Sequence, residues 1–256
     1  VREHIPEMSD ALYFGHTGNQ GEAVIWGHAL GAKLADMSGY QGHGSVAHPH
    51  GALISWALMM EGGIQINTEG ERFSNEHDGY SEQAKRVIRQ PDQTAYALID
   101  DRILALGREF PDFCGAEAAG ALISAASIAE MEDRLGVPVG ALQATLDDVA
   151  VCQAGQQEDS FGRDFTTKPA LTGAIHAIRV TGALFHTQGG LDINLDAEVI
   201  DANGQPLGGL LAAGGAARGV SGPDVSGYLS GNGLLTAITL GRIAGRQAAV
   251  LLAGSP

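Results

Sequence analysis

Apolar positions along this chain recur at two periods, three to four residues and two. Between Gly18 and Asp36 the residues Ala23, Trp26, Gly27, Leu30, Gly31 and Leu34 return every three or four positions, which predicts a helix. Gly18-Asn19-Gln20-Gly21 stands at its start as a loop expected to present free backbone N–H groups. Gly39–Gly51 holds too much Gly and His for a regular element, and an amphipathic helix is predicted over Ala52–Met60, ended by Glu61-Gly62-Gly63. Next comes a hairpin whose strands, Gly63–Asn67 and Glu71–Asn75, flank Thr68-Glu69-Gly70. A helix over Ser81–Ile88, a strand over Thr94–Ile99 and helices over Ala116–Leu135 and Pro138–Val151 follow, the last with its proline in the first turn.

Beyond the polar stretch Gln153–Lys168 the period shortens to two. Gly173–Val180, Leu191–Asn194 and Glu198–Asp201 read as strands, and Asn203-Gly204 is a hairpin-turn signal. Leu207–Ala213 reads as a strand buried on both faces, ending at Gly214-Gly215. Leu235, Ile238, Ile243, Ala244, Ala248 and Leu251 predict a largely buried helix over Asn232–Leu252. A helix-rich centre with its own hairpin, bracketed by strands and helices without partners, points to an α+β cap inserted in an incomplete α/β sheet.

Composition bounds this picture without changing it. Of 256 residues, 44% are hydrophobic and 18% charged, as in a globular chain with a full core. No apolar run approaches the roughly 20 residues that span a bilayer. A net charge of −15 repels phosphate backbones and anionic lipid, so neither nucleic acid nor membrane is an expected partner. Cys114 and Cys152 form no metal or disulfide pattern, which makes a reducing cytoplasm the default location. The 37 glycines cluster at 15–21, 39–51, 62–70, 182–190 and 204–233, as loops approaching a ligand would.

Candidate chemistry has a plain reading beside each functional one. Gly42-His43-Gly44-Ser45-Val46-Ala47 fits Gly-x-Gly-x-x-Ala but lacks the preceding strand of a dinucleotide loop. His43, His48 and His50 could suggest a metal, yet a Gly/Pro loop without Cys or paired carboxylates favours surface or substrate-loop histidines, and no metal site is expected. His4, His28, His77 and His176 stand alone as solvated or structural residues. Ser230-Gly231-Asn232 before an apolar helix is an N-cap, and also a glycine-lined helix start that would favour negative charge in front of it. Tyr80, Tyr228, Ser230 and His186 can move protons or polarise a carbonyl, although spacing alone does not unite them.

An ordered series of motifs then carries a resemblance. Gly15-x-Thr17-Gly18-Asn19-Gln20-Gly21, Leu30-Gly31-Ala32-x-Leu34-x-Asp36-Met37, Gly62-Gly63-Ile64-x-Ile66-Asn67-x-x-Gly70-x-Arg72-Phe73-x-Asn75-Glu76, His186-Thr187-Gln188-Gly189-Gly190, Leu211-Ala212-Ala213-Gly214 and Gly241-Arg242-Ile243-Ala244-Gly245 occur in that order. The series resembles the FAD-dependent flavoproteins of the fumarate reductase/succinate dehydrogenase type, and covers nearly the whole chain. It implies an α/β fold: part of a Rossmann-like FAD-binding domain without its N-terminal nucleotide-binding unit, over 1–38 and 188–256, with a capping and substrate domain over 39–187. FAD is the implied cofactor, with Thr17, Gly18, Asn19, Gln20, Gly189, Gly214, Gly215, Gly231, Asn232, Leu234 and Leu235 near it.

Departures from the family pattern narrow the implied chemistry. Fumarate reductases carry a proton-delivering Arg four residues after the Asn-Glu of the hairpin, where this chain has Tyr80. A second, carboxylate-clamping Arg belongs in the stretch that here reads Asp224-Val225-Ser226-Gly227-Tyr228-Leu229-Ser230. Without both guanidiniums the forks that grip a dicarboxylate are gone. Tyr80 with Tyr228-x-Ser230 is similar to the ketosteroid dehydrogenases, which implies a ketone or enoate substrate, Tyr80, Tyr228, Ser230, His186 and His43 as catalytic residues, and hydride transfer at a C–C bond next to a carbonyl. Gly215 replaces the Glu that contacts FAD ribose. The implied partner is the missing N-terminal FAD-binding half, the rival reading is a non-catalytic fragment or subunit that needs that half from a separate chain, and an exposed sheet edge predicts self-association into a homo-oligomer.

Overall fold

A computed structural model describes residues 1–254. In chain order its elements are β1 (Leu12–Tyr13), α1 (Glu22–Ala29), β2 (Leu34–Ala35), β3 (Tyr40–Ala47), β4 (Ala52–Leu53), α2 (Ala57–Met60), β5 (Ile64–Ile66), α3 (Tyr80–Val87) and β6 (Thr94–Asp100). They continue through α4 (Asp101–Gly107), α5 (Pro111–Ala118), β7 (Leu122–Ser124), α6 (Ile128–Leu135), α7 (Ala141–Gln153), β8 (Ile175–Thr187), β9 (Gly190–Leu191), β10 (Glu198–Ile200), β11 (Pro206–Leu211) and α8 (Asn232–Ala253). Contacts divide the described residues into a first unit, 1–9, 13–41 and 184 onward, and a second, 10–12 and 42–183. No helix among the described residues is long and apolar enough to cross a membrane.

The second unit is a sheet covered on both faces. Its strands run in the order β4-β3-β8-β6-β5, with β7 also pairing β8. Strand β6 lies antiparallel between β5 and β8, and every one of its residues is buried. Alternation along β6 sorts two cores: Ala95, Ala97 and Ile99 pack with Leu58, Ile103 and Phe113, whereas Tyr96 and Leu98 pack with Met131, Leu135 and Leu142. A strand buried on both faces carries a continuous apolar run, here Ala95–Ile99, rather than an alternating pattern.

Several expected elements take another form in this unit. Gly39–Gly51 is not an irregular loop, because Tyr40–Ala47 is a buried strand. Its glycines give α3 room to lie against it: an ideal Cβ on Gly42 would sit 2.5 Å from Ala84 Cβ, and one on Gly44 would sit 2.7 Å from Gln83 Cβ. The helix expected over Ala52–Met60 shortens to α2, its first residues forming β4 instead. Of the expected hairpin only β5 and a bridge between Ile66 and Arg72 form. Gly120, at φ 85°, splits the helix expected over Ala116–Leu135 into α5, β7 and α6. Pro138 stays outside α7, which is capped by Gly140.

The first unit is built on short pairings. Leu34–Ala35 pairs with Gly190–Leu191, and β10 with β11 through the expected turn, where Gly204 has φ 78°. Ala32, Leu191, Val199, Ala212 and Ala217 form a small core. The helix expected over Gly18–Asp36 covers only α1, because Gly31 at φ 91° ends it and Ala32 and Leu34 turn into that core. Strand β11 is not buried on both faces, its residues being exposed or half-buried. Helix α8 has its predicted span but not its predicted burial: only Asn232 and Thr236 are buried, while Leu234 is 75%, Leu235 57% and Ile238 73% exposed. Periodicity identifies an apolar helix face but not which surface covers it.

Candidate active site

In the second unit Tyr80 opens α3 directly after Gly79, whose φ of 128° lets the chain turn from the short helix Glu76–Asp78. The Tyr80 ring stacks on His43 at 5.0 Å and 27°, and Trp56 meets His43 edge-on at 5.8 Å and 89°. His43 is buried in β3, and burial lowers its pKa to about 3, so the ring is neutral at physiological pH. Ser45 N–H donates to His43 Nδ1 at 3.1 Å, which puts the imidazole proton on Nε2.

Two networks fix α3 and therefore Tyr80. Gly42 N–H donates to Ser81 Oγ at 2.8 Å, Gln65 Nε2 donates to the Gly44 carbonyl at 2.8 Å, and Gln83 Nε2 donates to Gln65 Oε1 at 2.9 Å and Ser74 Oγ at 2.7 Å. The Arg72-Phe73-x-Asn75-Glu76 segment supplies the second. Glu76, fully buried, accepts from Arg72 Nε at 3.0 Å and Nη2 at 2.8 Å, from Arg163 Nη1 at 3.0 Å and from Gln65 N–H at 3.0 Å. Burial pushes the Glu76 carboxyl up, but hydrogen bonds and charge from Arg72, then Arg163 and the Gln65 amide, hold it below the usual carboxylate range. Arg72 also pairs with Asp159, and Arg72 and Arg163 both lie over the Phe165 ring, at 4.6 and 4.4 Å. Asp159 and Arg163 escaped the sequence reading, their only signal being charges interleaved with Phe161 and Phe165 in a stretch that looked merely polar.

The first unit gathers His186, Tyr228 and the start of α8. Tyr228 lies edge-on to His186 at 6.2 Å and 74°, and Gln188 Nε2 is 2.9 Å from His186 Nδ1. An added Cβ on Gly233 would sit 3.8 Å from His186 Cε1, so the helix start borders the imidazole. The N-cap is Gly231, at φ 82° and with no side-chain cap, rather than Asn232, whose Nδ2 instead donates to Ser221 Oγ. Of the first-turn amides of α8, that of Asn232 donates to the Leu229 carbonyl at 3.2 Å, and no side chain caps the helix start. Leu234, Leu235 and Ser230 are exposed beside them, and Gly215 opens onto free space, with no atom within 4 Å of an added Cβ.

Other expected positions fall elsewhere. Thr17, Gly18, Asn19 and Gln20 are exposed, yet their loop does not present free amides: Gly18 N–H donates to His16 Nδ1, Asn19 N–H to the His16 carbonyl and Gln20 N–H to Glu22. A Cβ on Gly189 would lie 2.4 Å from Met37 Cα, so Gly189 serves close packing, whereas Gly214, at φ 57°, answers to its backbone turn. Gly42 and Gly44 lie inside a strand, which removes the dinucleotide-loop reading. His48 and His50 flank the exposed cis-proline turn at Pro49, and among the described residues no group of three or more His, Cys, Asp or Glu could hold a metal. His176 does not stand alone: Ser124 Oγ lies 2.7 Å from its Nδ1 and Asp101 Oδ1 2.9 Å from its Nε2. Cys114 and Cys152 are free thiols.

These features define a mixed α/β flavoprotein. Residues 1–234 match the family model described as FAD binding domain, and the chain belongs to that family. It is 31% identical over 250 residues to the NADH:fumarate oxidoreductase of Klebsiella pneumoniae (strain 342), covering 97% of this chain and 26% of the relative. An open conformation of a flavocytochrome c3 fumarate reductase superposes with a TM-score of 0.73 at 26% identity, covering 98% of this chain and 43% of that one. The 3-ketosteroid-Δ4-(5α)-dehydrogenase of Rhodococcus jostii RHA1, solved in complex with 4-androstene-3,17-dione, superposes with a TM-score of 0.67 at 26% identity, covering 97% and 49%. The chain therefore spans half or less of the length of these relatives. FAD is the cofactor of the family, and the uncapped, glycine-flanked start of α8 fits it, because such a terminus favours the negative charge of a reduced flavin ring.

Proposed function

We propose that this chain is the substrate-side part of an FAD-dependent oxidoreductase that forms or reduces a C=C bond next to a ketone. Segments 1–38 and 188–256 are assigned to the flavin-binding domain and 39–187 to the capping domain. Bound FAD would supply the hydride acceptor or donor. The residues of this chain do the rest: Tyr80 moves the accompanying proton at its phenolic oxygen, Tyr228, Ser230 and His186 polarise the carbonyl, and His43, neutral and stacked on Tyr80, positions the substrate. At the flavin side, Gly231, Asn232, Leu234 and Leu235 at the start of α8 and Gly215 are the assigned contacts.

The observation that carries this is the Tyr80–His43 stack, an uncharged pair at the position where a fumarate reductase would carry a guanidinium. Ketones rather than dicarboxylates suit such a pair. The 4-androstene-3,17-dione complex of the Rhodococcus relative supports a carbonyl-bearing substrate here. The test is anaerobic flavin reduction by candidate ketones in the FAD-loaded protein, wild type against Tyr80→Phe. A fall of about 10²–10⁴-fold is expected for loss of a positioned proton donor, and an unchanged rate would overturn the assignment.

A second element concerns the partner. Ile25 and Trp26 on α1, Leu30 just after it, and Leu234, Leu235 and Ile238 on α8 are each more than half exposed. Apolar faces of this kind mark docking surfaces, which supports a nucleotide-gripping FAD-binding portion outside these residues as the partner that completes the site. Two free thiols favour a reducing, cytoplasmic setting.

A further inference from the structure

Gln188 lies buried in the turn that joins β8 to β9, with both of its backbone groups tied. Its N–H donates to the Gly39 carbonyl at 2.8 Å, and its carbonyl accepts from Gly219 N–H at 2.7 Å. Gly219 also leaves room for the side chain, because a Cβ added there would sit 2.7 Å from Gln188 Oε1. So held, the amide nitrogen lies 2.9 Å from His186 Nδ1, two residues back.

His186 Nδ1 thus faces two groups that require opposite tautomers. The Thr187 carbonyl, 3.2 Å away, only accepts and would place a proton on Nδ1. The Gln188 amide nitrogen only donates and requires a lone pair there. Thr187 is exposed, so water can satisfy its carbonyl, whereas the buried amide has no such substitute and leaving it unmade is the more costly choice. The proton therefore goes to Nε2. That nitrogen has no hydrogen-bond partner among the described residues and borders the start of α8, 3.9 Å from a Cβ added to Gly233.

We propose that Gln188 is a positioning residue of the reaction: by donating to Nδ1 it fixes His186 as an Nε2–H donor, so that the imidazole offers a hydrogen bond to a substrate oxygen. This rests on the carbonyl-polarising role given to His186 above and adds to it the group that sets that role. Without the amide, Nδ1 keeps only the Thr187 carbonyl, the proton moves to Nδ1, and Nε2 meets the substrate oxygen lone pair to lone pair.

The test uses the FAD-loaded protein labelled with ¹⁵N-histidine, with His186 in its neutral form, where the two ring nitrogens report separately which of them carries the proton. Among the nine histidines, His186 is assigned by the loss of its signals in His186→Phe. Wild type shows the proton on Nε2. Gln188→Met, unbranched and without a donor, moves it to Nδ1. Gly219→Ala does the same with Gln188 intact, because the new methyl group meets the flexible amide end and turns it aside, and this variant carries the test where Gln188→Met does not fold. In both variants kcat for flavin reduction by a ketone falls about 10²-fold with little change in KM, as for a donor that acts in the transition state. A proton on Nδ1 in wild type, a proton that stays on Nε2 in the folded variants, or ketone turnover that survives the tautomer shift would each overturn the proposal. The predicted tautomers without flavin reduction of wild type by any ketone would keep the Gln188 assignment and defeat the ketone oxidoreduction. Ketone turnover in wild type with one tautomer throughout would do the reverse.

Discussion

Replacing Glu76 by Gln probes the element that holds Tyr80 in place. The carboxylate is fully buried and accepts four hydrogen bonds, three of them from the guanidiniums of Arg72 and Arg163. The amide keeps one acceptor oxygen and turns an NH₂ group toward two cations. Arg72 retains Asp159, but Arg163, with its side chain 1% exposed, loses the carboxylate it pairs with. Breaking a buried pair in this way costs about 3–5 kcal/mol, because a charge is left buried without compensation. Urea unfolding followed by circular dichroism, with the slope of the transition unchanged, measures it. The pH dependence has a definite sign. Folding holds the Glu76 pKa below its unfolded value of about 4.3, so its stabilisation is complete above that value and is lost as pH falls through the lower folded pKa. Wild type and Glu76→Gln should therefore converge in acid. A destabilisation under about 1 kcal/mol at neutral pH, or a difference that does not shrink in acid, would refute the reasoning.

Two further outcomes follow from packing. Gly44→Ala forces a methyl group to within 2.7 Å of Gln83 Cβ and should cost about 1–3 kcal/mol in chemical denaturation, as overpacking of a fixed interface does. Leu235→Lys with Ile238→Lys charges the exposed face of α8 and should leave the unfolding midpoint unchanged in chemical denaturation, since both side chains are already more than half exposed.

Elements defined by local pattern were legible in the sequence. Tyr80–Val87 and Thr94–Asp100 lie within a residue of the expected Ser81–Ile88 and Thr94–Ile99, and the Asn203-Gly204 turn joins β10 to β11. What escaped depends on distant partners. Strand β3 looked irregular because its glycines answer to α3, about 40 residues away, and not to the strand itself. Glu76 showed in a motif, yet its partner Arg163 is 87 residues further along. Trp56 looked like one more apolar position of a helix, and only the fold brings it against His43. The burial of α8 was misjudged because an apolar stripe does not name the surface that covers it. Of the candidate site, the ordered motifs marked His186, the departures from the family pattern marked Tyr80 and Tyr228, the resemblance marked His43, and the fold groups them as two pairs of rings, one in each unit.

The proposed role of the Tyr80–His43 pair is in ketone-linked C–C chemistry and not in dicarboxylate reduction. Anaerobic spectroscopy of the visible flavin band in the FAD-loaded protein tests it most directly. A saturated cyclic ketone should bleach the oxidised flavin or the matching enone reoxidise the reduced one, with succinate and fumarate inert in the same two experiments. Rapid reoxidation of reduced flavin by fumarate, with no response to either ketone, would contradict it.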